Sequence, residues 1–361
     1  MERYSVSFLV EITYTSSDAY LINYFVQVSG ENLELARAEI EALVKLYPVN
    51  IRITWLGRIA KLQSAVNPTG FLLERAAHVQ RAGILIGEFI HEESIIDDIS
   101  DECWKDNVFS SDKFSVRTMC IESVYDHQKR IEIEKKLGAH IRNVTRAKVE
   151  LKSPDTHILV IIVAGRFLVC KSIESKLRRL LRAREPGKKP FFHPSMMNST
   201  LARTMCNLAG VRPGNTVLDP FCGGGGILCE ASYIGALVIG IDKNWTLLEG
   251  ARVNLSGINS KYSIIQADAL YLPVQTVDHI VTDPPYGRSS STRGAESREL
   301  FDSLLRKAPS ILQPGGENLC ICASSEMELS EMIRNAGLSI GYKINIIVHS
   351  GLIREVVTVK L

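Results

Sequence analysis

No apolar run in this chain approaches the ~18 residues needed to cross a bilayer, because charge or glycine interrupts each one early. No membrane-spanning helix is expected. The eight cysteines include no CxxC pair, so neither a zinc site nor a dithiol redox motif is signalled. They read as free thiols of a reducing, cytoplasmic compartment, and no metal is expected. Net charge is scarce too: 42 Lys and Arg against 40 Asp and Glu leave +2, too little to argue for a nucleic-acid partner from the average alone. The amino terminus, MERYSVSFLVEITYTSS, lacks a basic cluster in its flank and carries Glu11 inside its apolar centre, so it reads as a strand or an extension rather than a secretory signal.

What is there is the make-up of an ordered globular protein. The chain has 361 residues, 45% hydrophobic and 23% charged, enough for two or three domains. Residues 21 to 88 give strand, helix, two strands, helix (GFLLERAAHVQRA) and strand, a βαββαβ order that suggests a ferredoxin-like α+β unit. The acidic stretch EESIIDDISDE at 92 to 102 reads as one solvated amphipathic helix with Ile95, Ile96 and Ile99 turned inward. A strand (KFSVRTMCIES), a helix (QKRIEIEKKLGAHI) and three strands (AKVEL, HILVIIVA, RFLVCKSI) complete a second small α+β module. Residues 176 to 189, KLRRLLRAREPGKK, form a basic linker whose helix is ended by Pro186-Gly187. From Val217 onward strands alternate with helices, and the last two strands are close enough for a hairpin. That is an α/β doubly wound sheet with an antiparallel terminal hairpin.

Four strand ends in the last region carry chemistry. DPFCGGGGI, from Asp219, sets four glycines between a strand and a helix, where backbone amides can approach a ligand closely. The next strand ends in Asp242, roughly 20 residues on, placed to accept hydrogen bonds from ribose hydroxyls. NAD and S-adenosylmethionine both carry ribose, so this acid does not choose between them. Asp268 and Ala269, after the third strand, are placed to meet an adenine ring. The fourth strand delivers Asp283-Pro284-Pro285-Tyr286. An exocyclic amine on a base is a poor nucleophile, because its lone pair is delocalised into the ring. The Asp283 carboxylate and the Pro284 carbonyl are suited to bind its two hydrogens and aim the lone pair at a methyl donor. The prolines hold the carbonyl direction, and Tyr286 is suited to stack on the base, worth about 1–3 kcal/mol. Cys222 reads as a packing residue, since direct attack by an amine needs no covalent enzyme intermediate. Cys320 and Cys322 alternate along a strand and read as core.

The ordered set HPSMMNSTLARTMCNLAG, DPFCGGGGI, GID, QAD and DPPYGRSS resembles the archaeal tRNA (guanine-10-N2)-methyltransferases and their eukaryotic relatives. The resemblance implies a class I S-adenosylmethionine-dependent methyltransferase domain at 193–361. A ferredoxin-like region at 1–70, its last elements reaching about 90, a THUMP RNA-binding domain at 71–175 and the basic linker at 176–192 would precede it. It implies that S-adenosylmethionine is held by Asp219, Phe221, Gly223 and Gly225 of the turn, by Asp242 with Lys243, by Asp268 with Ala269 and by Asp283, with His193 to Asn198 closing over the methionine end. Asp283, Pro284 and Tyr286 would hold guanine N2. Lys176, Arg178, Arg179, Arg182, Arg184, Lys188, Lys189 and Arg288 would meet tRNA phosphates. Relatives often have threonine or serine among the glycines where this chain has Gly224-Gly225-Gly226. Some members work with a small activator protein; apart from any activator a monomer is expected. The rival readings are another target amine, guanine N2 in ribosomal RNA or adenine N6 in DNA, and an RNA-binding module with a vestigial methyltransferase fold.

Overall fold

Apolar alternation before residue 90 produces four antiparallel strands, and the last of them serves two modules at once. The computed structural model describes residues 21–285, 291–313, 318–349 and 352–361; the expected amino-terminal strand or extension, Tyr286 and Arg288 lie outside them. Strands β1 (Ile22–Val28), β2 (Arg52–Leu56), β3 (Ile59–Ser64) and β4 (Val79–Phe89) alternate with helices α1 (Leu33–Lys45) and α2 (Thr69–Arg75). Val26, Ile40, Leu43, Leu62 and Leu72 form the core between this sheet and its helices. The helix expected over residues 70 to 82 stops at Arg75. Alanines make AAHVQRA look helical, but Val79 and Ala82 are buried and pair across to Val28 and Val26 of β1, so the sheet claims them.

Helices α3 (Ser94–Asp97) and α4 (Asp101–Asn107) follow, then β5 (Lys113–Ile121), α5 (His127–Thr145), β6 (Lys148–Val149), β7 (Thr156–Val163) and β8 (Arg166–Glu174). The single acidic helix expected over 92–102 is two short ones. Ser100 divides them, its side chain accepting from the Cys103 N–H at 3.2 Å as the cap of α4. Ile95 and Ile99 are buried as expected. Strand β8 pairs along the length of β4, from Arg81 opposite Glu174 to Phe89 opposite Phe167. The two modules thus share one sheet, in the order β2-β3-β1-β4-β8-β7-β5-β6.

The basic linker holds α6 (Leu177–Ala183), which seats Leu177 and Leu181 against Ala77 and leaves Leu180 outside. Beyond it lie α7 (Ser199–Leu208), β9 (Thr216–Asp219), α8 (Gly226–Ile234), β10 (Leu237–Asp242), α9 (Trp245–Ser256), β11 (Tyr262–Gln266) and β12 (His279–Thr282). Helix α10 (Ser291–Ile311), β13 (Leu319–Ser324), α11 (Leu329–Asn335), β14 (Ser339–His349) and β15 (Leu352–Lys360) complete the chain. Their sheet runs β11-β10-β9-β12-β13-β15-β14. Its first five strands are parallel, and β15 slots antiparallel between β13 and β14. Both faces are covered. Along β13, Cys320 and Cys322 face the α7–α8 side while Leu319, Ile321 and Ala323 face the side of α10 and α11, so the alternation that marked these cysteines as core is realised.

A buried polar node fastens the two halves. Asn207 of α7 donates to Glu39 of α1 at 2.7 Å and accepts from Arg75 at 2.5 Å, while Glu39 accepts the Ala77 and His78 amides at 2.9 and 3.0 Å. The Glu39 and Asn207 residues are fully buried, so losing either partner would strand a desolvated group.

Candidate active site

Strand order reverses between β9 and β12, and the carboxyl ends of the parallel strands meet at that switch point. A cavity of about 680 Å³ opens there, and Asp219, Asp242, Asp268 and Asp283 all line it. Four acids separated in sequence therefore converge on one space.

The glycine turn shapes its floor. Gly223 and Gly225 have φ of +49° and +79°, conformations that side chains rarely adopt. A Cβ on Gly223 would meet nothing within 4 Å, so that backbone stands open to the cavity. Gly225 is different. It lies behind the lining at the start of α8, where a Cβ would come within 3.2 Å of the Ala251 Cβ, so it serves the turn and helix packing. At Gly224 a Cβ would come 2.8 Å from the Met196 Sδ, and at Gly226 3.3 Å from the Met197 carbonyl. The absence of threonine or serine here thus matches a tight fit against residues 196 and 197.

Each acid is oriented by the protein's own donors. Asp219, at the end of β9, is buried and accepts from the Thr282 hydroxyl at 2.7 Å and the Phe221 amide at 3.2 Å. Burial, reinforced by Asp283 and Asp242 and opposed by those hydrogen bonds, pushes its carboxyl up to about 7. Asp242 accepts from the Gly223 amide at 2.9 Å and the Asn244 amide at 2.8 Å, which ties the end of β10 to the glycine turn. Asp268 accepts from the Leu270 amide at 2.9 Å, which holds its carboxyl below the usual range, helped by Lys243 at 3.0 Å. Asp283 accepts from the Arg354 guanidinium of β15. Both side chains of that pair are largely withdrawn from solvent, which strengthens the attraction.

Asp219, Phe221, Gly223, Asp242, Lys243, Asp268, Ala269, Asp283 and Pro284 are thus brought together at the cavity. Three expected members are not: Gly225, which lies behind the lining, His193 and Asn198. His193 is exposed and its Nδ1 faces the Ser195 hydroxyl at 2.7 Å, outside the lining. Asn198 is the cap of α7, accepting from the Leu201 amide at 2.8 Å, and faces a separate groove beside His78 and Thr200. Pro194 to Met197 supply that wall of the cavity instead. Cys222 is buried with its thiol pushed up by desolvation, which suits packing and not nucleophilic attack.

Among the basic residues, Lys176, Arg179, Arg182 and Lys188 are exposed, whereas Arg178 and Lys189 are half-buried. Arg184 turns inward. Its guanidinium lies 3.5 Å from the centre of the Tyr233 ring and 3.5 Å from the carboxylate of buried Glu230, which Arg203 also holds at 3.0 Å. Its guanidinium is thus engaged by that buried cluster.

Sequence reading missed Arg354 and Thr282. The signals are slight: an arginine near the start of the largely apolar strand LIREVVTVK, and a hydroxyl one residue before Asp283.

A parallel sheet in this order with an inserted antiparallel strand, bearing acids at its switch point, defines the class I methyltransferase fold. Residues 186–355 match the RMKL-like methyltransferase domain family and residues 91–170 match the THUMP domain. The chain is 34% identical to the tRNA (guanine(10)-N2)-dimethyltransferase of Methanothermobacter thermautotrophicus over 85% of its length and 90% of the relative's. It is 31% identical to the enzyme of the same name from Methanocaldococcus jannaschii, over 91% and 97%. The crystal structure of TrmN from Thermus thermophilus superposes with a TM-score of 0.54 at 20% identity, over 94% of this chain and 99% of that one. The chain belongs to the tRNA (guanine(10)-N2)-dimethyltransferase family.

Proposed function

We propose that the protein methylates the exocyclic N2 of guanine-10 in tRNA, using S-adenosylmethionine. The observation that carries this reading is the convergence of Asp242, Asp268 and the open glycine turn with the Asp283-Pro284 loop in one cavity. The residues fit the cofactor. The cavity is of nucleoside size, the open backbone at Gly223 admits close approach, and Asp242 and Asp268 set carboxylates where ribose hydroxyls and an adenine amine need acceptors. When bound, S-adenosylmethionine supplies an electrophilic methyl group on a sulfonium sulfur.

The chain's own residues then orient the nucleophile. The Asp283 carboxylate and the Pro284 carbonyl accept the two N2 hydrogens, draw the lone pair out of the ring and direct it to the methyl group. Arg354 holds the Asp283 carboxylate in its orientation. The proton shed by N2 after transfer goes to the Asp283 carboxylate. Tyr286, in our assignment, stacks on the flipped base. The names of the two archaeal relatives favour addition of two methyl groups.

We assign residues 91–175 to the THUMP domain and 193–361 to the methyltransferase, with 176–192 between them. The first boundary belongs near 90 rather than 70, because β4 runs to Phe89 and pairs with β1. Arg179, Arg182, Lys176 and Lys188 present cations for tRNA phosphates beside the groove that Arg178 lines. We place the reaction in the cytoplasm, in keeping with eight free cysteines; no helix among the described residues is long and apolar enough to cross a membrane. The chain acts as a monomer in this reading, since one copy carries both the cavity and the basic linker. Whether an activator protein is needed is decided by assaying the chain alone.

The test is Asp283→Ala with unmodified tRNA and labelled cofactor, followed by nucleoside analysis. Transfer to guanosine should fall by about 10³-fold or more while cofactor binding stays within a few-fold. Near-normal turnover would refute the role, and recovery of methyladenosine would refute the base.

A further inference from the structure

The segment from Pro190 to Met197 leaves the basic linker, forms one wall of the cavity with Pro194 to Met197, and enters α7. It carries almost no regular structure, so something other than a helix or sheet ladder must hold it. Asn254, on α9 and buried, does so with every polar group of its side chain. Its Oδ1 accepts from the Phe191 amide at 3.0 Å, and its Nδ2 donates to the Phe191 carbonyl at 3.1 Å and to the Gly224 carbonyl at 2.9 Å. One amide therefore bonds both the wall-forming segment and the glycine turn. The Phe191 ring repeats the link by packing. It lies over Gly250 of α9 so closely that a Cβ there would fall 2.2 Å from a ring carbon, and a Cβ on Gly224 would lie 3.2 Å from another. Two glycines on different elements thus make the seat for one ring.

We propose that Asn254 and Phe191 are positioning residues that register the 190–197 segment against the glycine turn and thereby set the affinity for S-adenosylmethionine. Neither side chain is needed to touch the ligand. Asn254 fixes the distance between the two walls, because the same Nδ2 bonds both carbonyls; Phe191 fixes the height of the segment above α9. The inference rests on the cavity being the cofactor site.

Gly250→Ala is the sharpest test. It expels the Phe191 ring, leaves the Asn254 hydrogen bonds chemically intact, and places a better helix former within α9, so loss of folding is not the expected result. Asn254→Ala is the companion variant. Titration calorimetry with S-adenosylhomocysteine should show binding weakened about tenfold or more in each, and amide exchange of residues 191–197 in ligand-free protein should quicken. Protection of β9 and β10 should be unchanged, which reports an intact domain, and tRNA affinity by filter binding should be unchanged. Cofactor affinity within about twofold of wild type in folded Gly250→Ala overturns the proposal, whatever the exchange shows. If wild-type protein itself fails to bind S-adenosylhomocysteine, the assignment of the cavity falls instead, and unaltered exchange in both variants would then remove the positioning role of Asn254 and Phe191 as well.

Discussion

In the eight-stranded sheet, Lys61 and Arg166 reach Glu88 at 2.8 and 2.6 Å and Arg81 reaches Glu174 at 3.3 Å, whereas the seven-stranded sheet gathers Asp219, Asp242, Asp268 and Asp283 around one cavity. The first arrangement neutralises charge locally, on strand faces partly open to water, where an ion pair contributes little. The second concentrates like charge at a switch point and orients each acid with a few protein donors, at the expense of a carboxyl at Asp219 that burial drives towards neutrality. A functional acid is therefore recognised by convergence and by the side of it that the protein leaves facing a cavity. The mere presence of a charged partner does not separate the two sheets, since Asp283 and Glu88 both have an arginine.

The largest effect that would sharpen this contrast belongs to Arg354→Gln. Removing the cation beside Asp283 should lower kcat by about 10²-fold with little change in cofactor affinity. A kcat within about threefold of wild type would make Arg354 a structural residue and Asp283 no different in kind from Glu88.

Asp219 predicts a smaller effect, read in stability. Its folded carboxyl lies at about 7 against 3.8 in the unfolded chain. Between those values the folded state binds more protons than the unfolded state, so this group's contribution to stability is full below 3.8 and is lost as pH rises through 7. Asp219→Asn keeps an acceptor for the Thr282 hydroxyl and the Phe221 amide but cannot ionise. Denaturant titrations of mutant and wild type should therefore diverge from pH 4 to 7, with the mutant gaining relative to wild type as pH rises. A parallel pH dependence in the two proteins would show that Asp219 is ionised throughout.

These groups were unequally legible in the sequence. The parallel strands and their terminal acids could be read because each is a local pattern: a β-rich run, a glycine turn or an acid, at a spacing that the βαβ unit fixes. Arg354 could not, since its approach to Asp283 depends on β15 inserting between β13 and β14, a pairing that no local pattern specifies. Asn198 carried a legible signal of another kind, an asparagine directly before the helical STLARTMCNL, and its capping bond is what that signal describes. In the amino-terminal half, AAHVQRA favours a helix and leaves only GILIGEF as a strand pattern, while the pairing of β4 with both β1 and β8 decides otherwise. The wall at 190–197 was legible only as a motif, because its tether at Asn254 lies 63 positions from Phe191.

The smallest effect is expected from Arg81→Ala, and its smallness is the point. Arg81 pairs with Glu174 across β4 and β8 at 3.3 Å, but the Glu174 side chain is 73% exposed. Water and salt screen such a pair, and holding two long side chains in one geometry costs entropy. Stability by urea denaturation should change by no more than about 0.5 kcal/mol, and both cofactor affinity and kcat should match wild type. A loss well beyond that would mean that the join between β4 and β8, and with it the continuity of the amino-terminal sheet, leans on this contact. The division between a sheet whose charges cancel and a sheet whose charges converge would then need redrawing at β4, the strand both amino-terminal modules share.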